Sequence, residues 1–236
     1  MEDKYLSVII PAYNEQERLE NTLESMIRYL EGKKYSYEII IVNDGSTDGT
    51  GEIAQKYSQI RKNIRILTND TKKGKGYSVK RGMLDGDGKY LLFSDSDMST
   101  PIEEEEKLIG WLGQGYDIAI GSRSMKESRI IVHQAWHREM MGKIFNKFVR
   151  LITVRGLIDT QCGFKVFRRE CAKKLFGMQK LDGFAFDVEI LFLAKKHDYK
   201  IKEVPVQWRN SPHTKVNALR DPLNMMIELV KIRLIH

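Results

Sequence analysis

A chain of 236 residues, 42% hydrophobic and 30% charged, has ordinary globular composition and enough apolar material for one large core. It has no run of about 18 or more uncharged apolar residues, which excludes a membrane-spanning helix, and its first four residues lead into an apolar strand rather than a secretory signal. A net charge of +7 suits a phosphate-rich ligand, nucleic acid or an anionic membrane surface, while two cysteines, Cys162 and Cys171, make no disulfide framework and fit a reducing compartment.

In chain order, Tyr5–Ile10 reads as an apolar strand ended by Pro11-Ala-Tyr-Asn14, and Glu15–Glu31 as a helix with Leu19, Leu23, Met26, Ile27 and Leu30 on one face. Glu38–Val42 is a second strand running into the turn Asn43-Asp44-Gly45-Ser46-Thr47-Asp48-Gly49. A helix over Thr50–Ser58, a strand over Ile64–Leu67 and a helix opening at Lys72-Lys-Gly-Lys75-Gly76 and ending at Asp85 follow. Tyr90–Phe93 is the fourth strand. This alternation predicts a mostly parallel sheet flanked by helices on both faces. Pro101 starts another helix, with four glutamates in its first turn to complement the helix dipole. Asp117–Ile120 is a fifth strand ending in Gly121-Ser122-Arg123. Helices are expected over Trp136–Val154, Phe184–Lys195 and Pro222–Ile235, and a strand over Cys162–Phe167. Pro205 interrupts the strand Ile201–Trp208 and places it at an edge.

The fourth strand stops in two acids, Asp95-Ser-Asp97. In open α/β sheets ligands bind beyond the carboxyl ends of the strands. Two carboxylates there suit one hard divalent cation, Mg²⁺ or Mn²⁺, which can bridge to a leaving diphosphate. The bland alternative is a polar turn capped by Asp before Pro101. The other early strands also end in polar residues: Tyr13 and Glu15, then Asp44, Gly45 and Asp48, then Lys75 and Gly76. Each is unremarkable as a loop, but four in succession along one sheet edge point to a ligand. The pair Gly74-x-Gly76 lacks the third glycine of a dinucleotide fingerprint, and no P-loop sequence occurs, so a dehydrogenase and a P-loop ATPase are disfavoured.

Ser7-Val-Ile-Ile-Pro11-Ala-Tyr-Asn-Glu15, Val42-Asn-Asp44-Gly-Ser46-Thr-Asp48-Gly and Asp95-Ser-Asp97 resemble the inverting family 2 glycosyltransferases with a GT-A fold. Gly121-Ser-Arg123, Asp159-Thr-Gln-Cys-Gly-Phe-Lys165, Phe186-Asp-Val-Glu189 and Glu203-Val-Pro-Val-Gln-Trp208 resemble the dolichyl-phosphate β-glucosyltransferase branch. The resemblance covers nearly the whole chain. It implies one GT-A domain over 1–236, with residues 1–122 binding the nucleotide sugar and 123–236, carrying amphipathic helices, binding the acceptor. Pro11, Ala12, Tyr13, Glu15, Asp44, Gly45, Ser46, Lys75, Gly76, Asp95, Ser96 and Asp97 would bind UDP-glucose, with Asp44 near the base. Asp95 and Asp97 would engage Mg²⁺ or Mn²⁺. Arg123 and Arg138, with Asp159 and Gln161, would receive a dolichyl or other polyprenyl phosphate. Asp95, Asp97, Arg123 and Arg138 would carry the catalysis. Mannose synthases of this group place a metal-binding Gln where this chain has Ser99, a departure that leaves the third metal ligand open.

The chemistry is consistent from below. A phosphate monoester, with a second pKa near 6, is already largely a dianion at neutral pH, so the acceptor needs cations to hold it more than a general base. Guanidinium forks match phosphate geometry. The expected helix Trp136–Val154 interleaves Trp136, Met140, Met141, Ile144, Phe145, Phe148, Leu151 and Ile152 with Arg and Lys. It fits either a membrane interface or a core with a basic outer face, and the last helix carries the same two readings. His133 and His137 have no accompanying ligand motif, so zinc is not expected. The reading is an enzyme at the cytosolic face of a membrane, peripherally bound, with no nucleic-acid partner. Its rivals are a GDP-mannose-dependent transferase and a non-catalytic basic phosphate-binding module.

Overall fold

The computed structural model describes residues 4–132, 140, 142, 149, 153–154, 156–211 and 220–236, with the backbone alone for 220–224. The first half alternates strand and helix: β1 Leu6–Ala12, α1 Leu19–Glu31, β2 Tyr37–Asn43, α2 Thr50–Ile60, β3 Ile64–Thr68, α3 Lys75–Asp85 and β4 Tyr90–Ser94. A single 3₁₀ turn, Ile102–Glu104, leads into α4 Glu105–Gly113. Then come β5 Ile118–Ser122, β6 Arg129–Val132, β7 Phe164–Arg168, α5 Arg169–Met178, α6 Phe186–Lys196, β8 Ile201–Pro205, β9 Gln207–Arg209 and α7 Arg220–Ile235.

Seven strands form one sheet in the order β3-β2-β1-β4-β7-β5-β8. β1 to β4 are mutually parallel, β7 lies antiparallel between β4 and β5, and β8 runs parallel to β5 at the edge. The sheet is the mostly parallel one expected, and Pro205 does end an edge strand. β6 and β9 pair separately.

Strand alternation sends successive side chains to opposite faces. Ile9, Leu91 and Phe93 pack with α3, α5, α6 and α7 on one face. Val8, Ile10 and Leu92 pack with α1 and α4 on the other. The consequence for function is that β1, β2, β3 and β4 all deliver their C-terminal ends to one rim. β7 runs the other way, so the residues before it, 159–163, arrive at the same rim.

Several boundaries differ from the sequence reading. The helix expected from Pro101 begins only at Glu105, behind the 3₁₀ turn, so Glu103 and Glu104 precede it. Three further shifts have identifiable physical reasons. The first helix starts at Leu19 instead of Glu15, because residues 16–18 form a turn closed by the Arg18 N–H on the Glu15 carbonyl (3.0 Å) and Arg18, with φ of −131°, stands outside the helical region. The third starts at Lys75 instead of Lys72, because Gly74 takes φ of 118°, outside the helical region, where its N–H and that of Lys73 turn to Asp44. The strand expected from Cys162 begins at Phe164, opposite Ser94 where β4 ends, with the Asp95 N–H on the Gly163 carbonyl as the last link of the pairing. Arg138, His133, His137 and most of the 136–154 segment lie outside the described residues. Within it, Val149 and Val154 are buried and Met140 is half exposed.

Candidate active site

At the end of β4 the Asp95 N–H donates to the Gly163 carbonyl (3.0 Å), which ties the acid to the start of β7. The approach is close: a Cβ at position 163 would stand 1.9 Å from the Asp95 Oδ2, so any side chain there displaces the carboxylate. Lys75, the first residue of α3, places its ammonium 2.7 Å from Asp95 Oδ1. That cation comes from another strand end, so sequence neighbours do not reveal it. Asp97 accepts the Ser99 N–H at 2.9 Å, a local turn whose centre, Met98, has φ of 48°. The turn-capping role and the ligand role therefore coexist in Asp97, since one carboxylate oxygen has lone pairs to spare. Burial and then repulsion from Asp95 push the Asp97 carboxyl up from its ordinary range. Such a pair favours any cation that can sit against both oxygens.

Arg18 was not foreseen as part of this group. It grips Glu15 through both ends of its guanidinium and reaches the Ser211 hydroxyl at 2.8 Å. Burial works against its charge, but Glu15, Asp97 and Asp95 outweigh burial and hold it protonated. The signal was faint: Glu15 and Arg18 are three apart, a spacing common to any helix start.

The β2 end carries Asp44, nearly fully buried. Its carboxylate takes the Asn69 amide (2.7 Å) and the N–H groups of Lys73 (2.9 Å) and Gly74 (2.9 Å). Gly45, with φ of 66°, brings its Cα against Thr71 and Lys72, where a Cβ would approach backbone atoms at 2.6 Å. The Lys72 ammonium lies 4.1 Å from the Tyr13 ring centroid. Ser46 donates its N–H to Asn43 and accepts the Asn14 N–H. Pro11 and Ala12 are buried in β1. Ser96, also buried, accepts the Thr22 hydroxyl on its carbonyl at 2.7 Å. Gly76 packs against the Leu181 carbonyl.

On the opposite side of Asp95, Arg123 leaves the end of β5. Its Nε (2.7 Å), Nη2 (2.8 Å) and backbone N–H (2.9 Å) all donate to Asp159. Asp159 is fully buried and further fixed by the Gln161 N–H, while Glu203 holds the N–H groups of Ile158 and Asp159. Burial disfavours both charges; the ion pair overrides it, raising the Arg123 pKa and lowering that of Asp159. Arg123 keeps part of its surface open, whereas Asp159 has none. Asp159 thus orients Arg123 and presents nothing to a ligand itself. The Gln161 amide points towards Met225 Sδ at 3.9 Å.

Two further charges were missed. Lys165, on β7, is 2% exposed and donates to the Cys162 carbonyl (2.6 Å) and to Asp187. Burial raises the Asp187 pKa, against the pull of Lys165 and Lys75. Lys165 closes a stretch that resembles the family, but its alternation with Phe164 and Val166 does not name the buried acid it meets. Burial also pushes both thiols, Cys162 and Cys171, up to about 12, which leaves them neutral and inert.

A profile of the family described as "Glycosyl transferase family 2" matches residues 7–176. The chain is 39% identical over 241 residues to dolichyl-phosphate beta-glucosyltransferase of Dictyostelium discoideum, an alignment covering 97% of this chain and 74% of that protein. It is 34% identical over 245 residues to the Homo sapiens protein of the same name, covering 98% of this chain and 75% of that one. Among solved structures, glucosyl-3-phosphoglycerate synthase from Mycobacterium tuberculosis with Mn²⁺, UDP-glucose and phosphoglyceric acid superimposes with a TM-score of 0.66 at 20% identity, over 98% of this chain and 79% of that one. Mannosyl-3-phosphoglycerate synthase from Rubrobacter xylanophilus gives 0.70 at 18% identity, over 98% and 74%. The fold is the GT-A fold.

Proposed function

Because the chain belongs to glycosyltransferase family 2, we propose that it transfers glucose from UDP-glucose to dolichyl or another polyprenyl phosphate, at the cytosolic face of a membrane it contacts peripherally. The glucose and the lipid phosphate are suggested by the names of its relatives. The observation that carries the reading is the Arg123–Asp159 pair. A buried carboxylate holds the partly exposed Arg123 side chain in one orientation beside the acidic strand end, an arrangement suited to a phosphate nucleophile.

The residues divide the work. Asp44, with its remaining lone pairs, accepts from the base, and Tyr13 with Lys72 flanks it. Asp95 and Asp97 fit a divalent cation of the Mg²⁺ or Mn²⁺ type, which commonly takes one or two carboxylates and completes its shell with phosphate oxygens and water. Among the described residues no group of three or more acids, histidines or cysteines forms a fuller cage. When bound, such a cation neutralises charge on the departing diphosphate. Lys75 and Arg18 add fixed positive charge on the same side. Arg123 holds the acceptor phosphate dianion, so no side chain has to remove a proton from it. Arg138 is assigned to the same phosphate by resemblance and lies outside the described residues.

The membrane contact has its own support. No helix among the described residues is long and apolar enough to cross a bilayer. α7 buries Met225, Leu229 and Ile232 yet exposes Ile227, Val230 and Leu234 on its other side.

The test is transfer of labelled sugar to a short polyprenyl phosphate with Mn²⁺, comparing UDP-glucose with GDP-mannose. UDP-glucose is expected to be the preferred donor, and Asp97→Ala is expected to lose about 100-fold or more in turnover while its circular dichroism stays that of the wild type. Preference for GDP-mannose, or full turnover by Asp97→Ala, would overturn the reading.

A further inference from the structure

We propose that Glu189 is a positioning residue for the donor: buried on α6, it clamps the segment Lys180–Gly183, on which the Lys73–Gly76 turn is moulded. The inference rests on the donor reading above and deepens it.

Glu189 has no exposure at all. Its Oε1 accepts the Lys180 N–H at 2.8 Å and lies 2.6 Å from the His236 Nε2, and its Oε2 accepts the Leu181 N–H at 2.9 Å. A buried carboxylate bound to main-chain N–H groups fixes that main chain firmly, because losing either partner strands a charge or a donor away from water.

The clamped segment is the mould for the turn. Tyr77 donates its N–H to the Asp182 carbonyl at 3.2 Å. A Cβ on Gly74 would come within 2.4 Å of that carbonyl oxygen, and one on Gly76 within 2.7 Å of the Leu181 oxygen. Gln179 Nε2 then stitches the two strands of the contact, donating to Gly76 O (2.9 Å) and Leu181 O (2.7 Å). On its other side the same turn sends the Lys73 and Gly74 N–H groups to Asp44 and the Lys75 ammonium to Asp95. One carboxylate behind the turn therefore sets the geometry at both ends of the donor site, and Glu189 touches neither end. Asp187, two residues earlier on the same helix, is engaged with Lys165 instead.

The test uses the full chain and two variants, Glu189→Gln and Gln179→Leu. Amide hydrogen exchange is read without ligand at Lys73, Gly74 and Tyr77, and donor and acceptor kinetics are read separately. Exchange at those three amides should accelerate about fivefold or more while the amides of β5 stay unchanged. The KM for UDP-glucose should rise about fivefold to tenfold, with kcat within about twofold and the acceptor KM unchanged. Conservation of wild-type exchange and wild-type donor KM in both variants would overturn the proposal. So would a uniform rise in exchange with equal losses toward donor and acceptor, which marks a general loosening of the fold. If Glu189→Gln fails to fold, Gln179→Leu carries the test alone. If the wild type neither binds UDP nor transfers glucose, the functional reading falls, and the ligand-free exchange still decides whether the clamp exists.

Discussion

Gly163 decides where Asp95 can stand. Its missing side chain leaves the space that the Asp95 carboxylate fills, so Gly163→Ala must push that carboxylate by more than 1 Å. A displacement of that size at a reacting centre can cost about 100-fold, and a loss of that order in turnover is expected, with UDP binding measured by calorimetry falling in parallel. Unchanged turnover in Gly163→Ala would show that Asp95 is not held at the chemistry. Arg123→Lys is a different case. It keeps the charge and loses the fork that meets Asp159, so transfer to polyprenyl phosphate should drop about tenfold or more, equivalent to ~1.4 kcal/mol of transition-state contact. Calorimetry with UDP should show no change, and a matching loss of UDP affinity would place Arg123 on the donor instead. Asp44, Asp95 and Asp97 stand out in the sequence because they close apolar strands in acids, and the part given to Arg123 rests on the family resemblance. Arg18 carried no signal beyond its local spacing to Glu15, and Lys165 and Asp187 lie in stretches that resemble the family but showed no role, because each meets its partner on another element.

Among the elements, the early strands were legible because each is a short apolar run bounded by turn residues. Helix starts were misplaced where the residue before the helix leaves the helical region, as at Arg18 and Gly74, which the apolar periodicity does not report. β6 and α5 were not anticipated. Arg129-Ile-Ile-Val132 lacks alternation and owes its strand to pairing with β9, while α5 is short and follows β7 without a punctuating residue. β2 offers a test of how an element is anchored. Glu38, at its start, is fully buried and accepts from Ser7 (2.6 Å), the Asp87 N–H (2.9 Å) and Lys4 (2.7 Å), with Arg65 beside it. Burial alone would raise its pKa, but these donors outweigh it and hold the carboxyl below its ordinary 4.5. A depressed folded-state pKa contributes stability that is present above the unfolded value and is lost as pH falls through the folded one. Glu38→Gln should therefore lower stability by about 1.5–3 kcal/mol at pH 7, and the gap to wild type should close below about pH 4 in urea titrations at each pH. A gap that persists unchanged at low pH would mean that shape, and not charge, is what position 38 supplies.

At the scale of the whole molecule, α7 presents two faces. The inner one carries Met225, Leu229 and Ile232 into the core, and the outer one leaves Ile227, Val230 and Leu234 exposed beside Lys231. The sequence left this helix open between core and membrane surface, since periodicity reports that a face is apolar and not what covers it; the structure shows a buried apolar face and an exposed apolar stripe on the same helix. If the outer stripe meets a bilayer, the double change Ile227→Glu, Leu234→Glu should release the protein from anionic liposomes in a flotation assay. Both sites are exposed, so stability should stay within about 0.5 kcal/mol of wild type, and a double mutant that still floats would remove α7 from the membrane contact. The threading of β7 has a consequence for how the protein is made. β1 to β4 can pair in the order they leave the ribosome, but β5 hydrogen-bonds to β7 and β8, which are synthesised some 40 and 80 residues later. At roughly 5–20 residues per second, β5 waits for seconds with its main-chain groups unpaired. The acid pair Asp95 and Asp97 waits as well, because the Gly163 carbonyl and Arg123's buried partner arrive with the same late segment. The nascent chain thus acquires its nucleotide-side scaffold first, and gains its chemical centre only when one reversed strand slides into the gap left for it.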